Sequence, residues 1–262
     1  MNKALKIAAS GMHAQQLTID IIANNLANVN TTGYKKSSLE FQDMLYETIK
    51  KAGESTGGDS RRPGALQVGN GTRVVASQRS FKQGSITGSG NPLDIAIEGE
   101  GFLIIRMPDG TRSYTRDGSL KMTGDGALVT SDGFMLEPDI TVPEDAREVF
   151  ISTDGQVNVK LIGDDEPMPL GQMEIARFVN PGGLEAIGSN LYRETVASGA
   201  PLIGAPGEDG LGTLQQGFLE TSNVDVVQEM VNMIEAQRSY ELNSKTIKTT
   251  EEIYHTASQM KR

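Results

Sequence analysis

The sequence predicts a mainly β body, sandwich- or barrel-like, flanked by long N- and C-terminal α-helices. Three observations lead there. Residues 1–29 carry apolar side chains at alternating three- and four-residue steps. Residues 224–260 repeat that spacing less cleanly. Between them, glycine-bearing turns punctuate short β-type runs. Two terminal helices around a β body describe a subunit that assembles through its ends rather than an enzyme built around a pocket.

The first helix has a seam of Leu5, Ala8, Met12, Gln15, Ile19, Ile22, Leu26 and Val29, polar only at Gln15. The run Ala23–Asn30 is odd for a helix, because Asn competes with the helical backbone for hydrogen bonds and propensity does not explain its repetition. Thr31-Thr32-Gly33 supplies a stop, with Gly33 suited to the left-handed position after a helix. Tyr34–Ile49 reads as an extended piece followed by a short helix over Phe41–Ile49. Lys50–Gly64 is polar, glycine-rich and ended by Pro63, which reads as a loop.

From Leu66 a two-residue period takes over. Candidate strands lie at Arg73–Val75, Gln78–Phe81, Leu93–Ile97, Gly101–Ile105, Ser113–Arg116, Ser119–Met122, Ala127–Thr130, Phe134–Leu136, Val149–Ile151, Val157–Leu161 and Met173–Phe178. Asp109-Gly110, Asp117-Gly118, Asp125-Gly126, Asp132-Gly133 and Asp154-Gly155 are hairpin cues. No helical period appears between Leu66 and Leu214, which argues against alternating βαβ units. Ala197–Gly212 reads as a passage leading out of the body. The last helix then starts with Ser222, Asn223 or Asp225 as its N-cap. Its seam is Val226, Met230, Met233, Tyr240, Ile247 and Tyr254, interrupted by Gln237, Ser244 and Glu251. A seam this mixed suits packing among several different neighbours.

The 262 residues carry a formal net charge of −10. An acidic chain argues against nonspecific nucleic-acid binding, which needs clustered Lys and Arg. No stretch reaches the roughly 20 apolar residues that span a bilayer, so an integral membrane protein is not expected. The basic start Met1–Lys6 is followed by Ser10, Gly11 and His13 instead of an apolar core, so it does not read as a cleaved secretory signal. There is no Cys, which fits a cytosolic protein or one that works in an oxidising place equally well. His13 and His255 sit one on each terminal helix and read as exposed helix residues. Gly99-Glu100-Gly101 reads as a bend between strands, and Asp164-Asp165-Glu166 as a solvated hairpin tip. The expectation is no catalytic group, no cofactor and no metal.

The segment Ala23-Asn24-Asn25-Leu26-Ala27-Asn28-Val29-Asn30-Thr31-Thr32-Gly33-Tyr34-Lys35 resembles the N-terminal signature of bacterial flagellar rod and hook proteins. Gly217–Asp225, continuing through Glu229-Met230-Val231 to Gln237–Glu241, resembles their C-terminal signature. Asn91–Phe102 and Tyr114–Gly118 are similar to internal blocks of the same family. The start Ile7–Gln16 and the block Gly188–Thr195 look like the distal rod members, with a proximal rod member of similar length as the alternative. Leu103 departs from the family, which often has a second aromatic there.

The resemblance implies an all-structural role: export unfolded through the flagellar type III apparatus without a cleaved signal peptide, then helical stacking into a hollow, torque-transmitting shaft across the periplasm. It implies that the terminal helices pair in a coiled-coil-like core domain (1–33 and 222–262). Residues 34–75 connect, including a rod-type insertion near Lys50–Gly64, and 76–221 form an outer β domain facing the basal-body rings. Implied partners are copies of the chain, other rod proteins, the hook protein, the rings and the export apparatus. The expected assembly interface is Leu5, Met12, Ile19, Ile22, Asn24, Asn25, Leu26 and Asn28 on the first helix. On the last it is Val226, Met230, Met233, Ile234, Gln237, Tyr240 and Ile247. A rival reading, a secreted β-sandwich binding module, predicts stable ends and a ligand for the 66–214 body.

Overall fold

The computed structural model describes residues 3–52, 63–162 and 166–260. Much of the expected Lys50–Gly64 insertion and the Asp164-Asp165 tip lie outside the described residues. The chain forms two compact units, one of residues up to Leu26, Ser37–Gln78 and from Asp225 onward, the other of Ala27–Lys36 and Arg79–Val224.

The first unit holds both long helices, α1 (Lys3–Ala27) and α2 (Val226–Met260). Its strands pair as Ser37–Asp43 with Thr72–Arg79 and Glu47–Lys50 with Leu66–Val68. The short helix expected over Phe41–Ile49 is therefore two strands. Their partners lie some distance along the chain, so the local period of Phe41, Met44 and Tyr46 did not disclose them. The expected connecting segment 34–75 divides, with Ser37–Gln78 in the unit that holds the helices and 27–36 in the β unit. Two contacts explain the first assignment. Gly71, at φ +102°, lies against Ile7 and Ser10 of α1. The Thr72 amide donates to Ser10 Oγ at 3.4 Å.

The second unit is built around Phe102–Arg106, a strand buried on both faces. That is why its sequence reads as a continuous apolar run rather than an alternation. Leu103 and Ile105 enter a core with Ile95, Leu120, Val157, Val159, Met173 and Ile175. Phe102 and Ile104 point the other way, into an aromatic cluster of Tyr114, Phe178 and Tyr192 backed by Phe81. The rings meet edge to face, Phe102 with Phe81 at 5.4 Å and with Phe178 at 5.7 Å between centroids. Each such fully buried side chain contributes roughly 1.5–3 kcal/mol.

Along one edge Phe102–Arg106 pairs with Arg112–Thr115. Its other edge is shared by Ile175–Arg177 and Met135–Leu136. The sheet continues to Leu128–Val129 and Lys121–Met122 on one side, and to Leu191–Arg193 and Glu185–Gly188 on the other, giving a nine-stranded half-barrel. A three-stranded sheet of Ala146–Ile151, Gln156–Leu161 and Met168–Gln172 and two further strand pairs complete the unit. Leu202–Gly204 pairs with Ile175–Arg177, and Leu211 is in the core. The passage over Ala197–Gly212 thus belongs to the body, because its glycines and Pro206 shape turns around a strand too short to show a period.

Four of the five Asp-Gly cues close hairpins, with Gly110, Gly126, Gly133 and Gly155 all at positive φ. Asp117-Gly118 does something else. Gly118 carries the backbone past Ile95, whose amide bonds the Gly118 carbonyl at 3.0 Å. A Cβ there would fall inside the van der Waals radius of the Ile95 carbonyl oxygen. Gly118→Ala is expected to cost about 2–4 kcal/mol, since only backbone movement relieves the overlap. Urea unfolding of the purified chain measures this, and a loss under about 0.5 kcal/mol, the level of an ordinary surface substitution, would contradict it.

Candidate assembly surface

Within the first unit, α1 and α2 run antiparallel past one another at two points. Near one end, Asn25 Nδ2 donates to Glu229 Oε2 at 3.2 Å. Further along, Gly11 faces the Asn243 side-chain amide, which a Cβ at Gly11 would approach to 3.0 Å. Asn25 also reads the start of the next strand, with its Nδ2 donating to the Ser37 carbonyl at 2.9 Å and its Oδ1 accepting from the Ser37 amide at 3.0 Å. This accounts for an Asn in a helix where propensity disfavours it. Its value is tertiary. Asn28 Oδ1 accepts from Thr31 Oγ1 at 3.2 Å, helping to end the helix.

The buried and half-buried positions of α2 are Glu229, Asn232, Met233, Ala236, Ser239, Asn243, Ser244, Ile247 and Thr250, which follow one face of the helix at mostly three- and four-residue steps. This stripe is mostly polar or small. The apolar side chains face elsewhere: Val227 is 72% exposed, Met230 55% and Ile234 50%. Among the expected interface residues, Val226, Met230, Ile234, Gln237, Tyr240 and Asn24 are exposed, while Leu5, Met12, Ile19, Leu26, Asn28, Met233 and Ile247 are partly covered. Ile22 and Asn25 are enclosed by their own chain, at 4% and 1% exposure. Burial within the single chain leaves those two little surface for a second copy. His13 and His255 are exposed on the helices.

Asp225 is the N-cap of α2, its Oδ1 accepting from the amides of Val227 at 2.9 Å and Gln228 at 3.2 Å. Asn223 plays a different part inside the β unit. Its Oδ1 accepts from the Lys36 amide at 2.8 Å, and its Nδ2 donates to the Ser80 and Lys82 carbonyls at 2.8 and 2.9 Å.

Beside it lies a buried ionic cluster that sequence reasoning missed. Lys35 is wholly buried and pairs with Glu220 Oε1 at 2.5 Å, while donating to the Lys82 carbonyl at 2.8 Å. Arg116 Nε meets Glu220 Oε2 at 3.0 Å, and its other nitrogens donate to the Gly101 and Gly99 carbonyls at 2.7 and 2.8 Å. The Gly84 amide donates to Glu220 Oε1 at 2.8 Å, and the Gly33 amide, at φ +67°, to the Glu220 carbonyl at 2.8 Å. Burial pulls the pKa of Lys35 and of Arg116 downward, and Glu220 opposes that pull in both. Burial raises the Asp117 carboxyl, which accepts from Thr32 Oγ1 at 2.9 Å. The signal was present in three of the blocks that resemble the family, each of which contributes one charge, but spacing alone does not reveal that they converge.

Removing the shared anion leaves two cations buried without a counter-charge. Glu220→Gln is expected to cost about 3–5 kcal/mol. Lys35→Met leaves Glu220 with Arg116 and Gly84, and is expected to cost about 1–3 kcal/mol. Denaturant midpoints of the two variants test this, and the reverse order of stability would sink the shared-anion account.

Three family models match the chain: "Flagella basal body rod protein" over residues 5–35, "Flagellar hook protein FlgE/F/G D1 domain" over 96–159, and "Flagellar basal body rod FlgEFG protein C-terminal" over 215–260. The chain is 50% identical to the flagellar basal-body rod protein FlgG of Borreliella burgdorferi, covering 100% of both. It is 46% identical to that of Caulobacter vibrioides over 99% of both, and 40% identical to that of Bacillus subtilis over 100% of both. With likeness of this degree along the whole length, and with the three matched segments holding Asn25, Lys35, Arg116, Glu220 and the exposed face of α2, the chain belongs to the flagellar basal-body rod protein family.

Proposed function

We infer that this protein is a structural subunit of the bacterial flagellar basal-body rod, of the distal type, and that copies stack helically into a hollow shaft. The full-length likeness to rod proteins named FlgG supports the distal assignment. The observation that carries the mechanism is the arrangement of α2, which turns a small, polar stripe toward its own chain and leaves Val226, Val227, Met230, Val231, Ile234 and Tyr240 uncovered.

A helix in this state is unfinished. Its apolar face gains roughly 1.5–3 kcal/mol for each large side chain that a neighbour covers. Because the face on α2 differs from the partly covered seam of α1, the contact between copies is heterologous, and such contacts propagate as filaments unless the rotation closes a ring. In this reading the terminal helices of successive copies pack as a coiled-coil-like inner tube, and the β body lies outside it toward the rings. Other rod proteins and the hook protein meet the same surfaces at the two ends of the stack. Export precedes folding and uses no cleaved signal. Torque passes through packed interfaces, so the work requires no catalytic side chain and no cofactor. Among the described residues no helix is long and apolar enough to cross a membrane.

Met230→Asp and Ile234→Asp each place a charge on the uncovered face without touching the buried stripe. Both are expected to abolish rod assembly and swimming while the β unit keeps its native circular dichroism and thermal transition. Electron microscopy of basal bodies from cells carrying either variant decides the matter. Normal rods with full swimming would remove α2 from the interface.

A further inference from the structure

The two units are joined by the backbone at four places, 26/27, 36/37, 78/79 and 224/225. Inside the β unit, the segments leading from these crossings are bonded to each other before they reach the core. The Lys36 amide goes to Asn223, the Ser80 amide to the Lys36 carbonyl at 2.9 Å, and the Thr221 amide to the Ser85 carbonyl at 2.8 Å. Asn223 grips Ser80 and Lys82, and Lys35 joins Lys82 to Glu220. The first lead is held as well, since Asn190 Nδ2 donates to the Thr32 carbonyl at 3.0 Å and Gly33 bonds Glu220. Arg116 ties the group to the Gly99 and Gly101 carbonyls at the mouth of the central strand. Gly84 has no room for a side chain, because a Cβ would overlap the Thr221 carbonyl.

We propose that Asn223 and the Lys35–Glu220–Arg116 cluster form a mechanical staple that makes the four leads of the β unit share load. The role in torque transfer rests on the rod reading above, but the staple itself is a property of the single chain. A lead held only by its own bonds yields one bond at a time under tension. Leads bonded sideways through buried charges yield only when several bonds break together. A buried ion cluster is a poor way to gain equilibrium stability, because desolvation offsets most of the attraction. It is a good way to hold defined segments in one register.

The full chain has no Cys, so a cysteine added at each end gives unique handles for optical tweezers. The variant is Asn223→Ala, which removes the side-chain bonds from Asn223 to Lys36, Ser80 and Lys82 and leaves the ion cluster whole. The control is a core variant of equal urea stability, chosen from Leu128→Ala and Val157→Ala, whose side chains belong to the apolar core and make none of the bonds between the leads. Forced unfolding is governed by the unfolding rate, and at constant tension that rate is expected to rise about tenfold more in Asn223→Ala than in the control. Equal acceleration in the two variants would overturn the staple, since force resistance would then merely follow stability. Because the measurement uses isolated chains, it stands or falls separately from rod assembly.

Discussion

A carboxylate placed out of water beside an ammonium and a guanidinium is tolerated only when all three are held in register, because each charge left without its partner costs several kcal/mol. Glu220 imposes that condition on residues far apart in sequence. Lys35 follows the first helix, Arg116 comes just after a strand of the central sheet, and Glu220 precedes the last helix by a few residues. The β unit therefore reaches its native arrangement only when its first and last segments have come back to the same place. That ties folding of the body to the positions from which the helices depart.

Much of this architecture was legible in the sequence. The terminal helices announced themselves by period, and α1 and α2 begin and end within about two residues of expectation, the usual uncertainty at helix ends. Asp-Gly pairs located hairpins because the left-handed position that ends each of these loops favours glycine. Phe102–Arg106 was visible as an unbroken apolar run, the mark of a strand covered on both faces. Strands that make few local contacts were not visible. Thr213–Gln216 finds its partner at Ile95–Glu98, and Phe218–Glu220 at Ile86–Gly88, more than a hundred residues earlier. No window of ten residues carries that information. The Phe41–Ile49 helix failed for the same reason.

The exposed apolar face of α2 was half legible. Period alone identified an apolar stripe on α2, but not which side of the helix would be turned inward. Glu229 is the deciding residue. It is an acidic residue in the first turn of α2, and it is 4% exposed, with Asn25 Nδ2 donating to it. The Asn-rich run likewise had no local rationale until Asn25 proved to bridge α1, the Ser37 strand and α2. Signature residues of this kind state tertiary bonds that no scale of helix or strand propensity contains.

The inward stripe also bears on why the subunit does not complete itself. Two helices that met through Met230, Ile234 and Tyr240 would bury a strongly apolar seam within one chain, and little would remain to drive association. Here the helices touch through Asn25 with Glu229 and through Gly11 with Asn243, on a stripe of mostly small or polar side chains. Hydrogen bonds of this type each contribute about 0.5–1.5 kcal/mol net, so they set direction more than they supply stability. In the assembly proposed above, the larger hydrophobic gain is reserved for contacts between copies, because the uncovered side chains of α2 have no cover within the single chain.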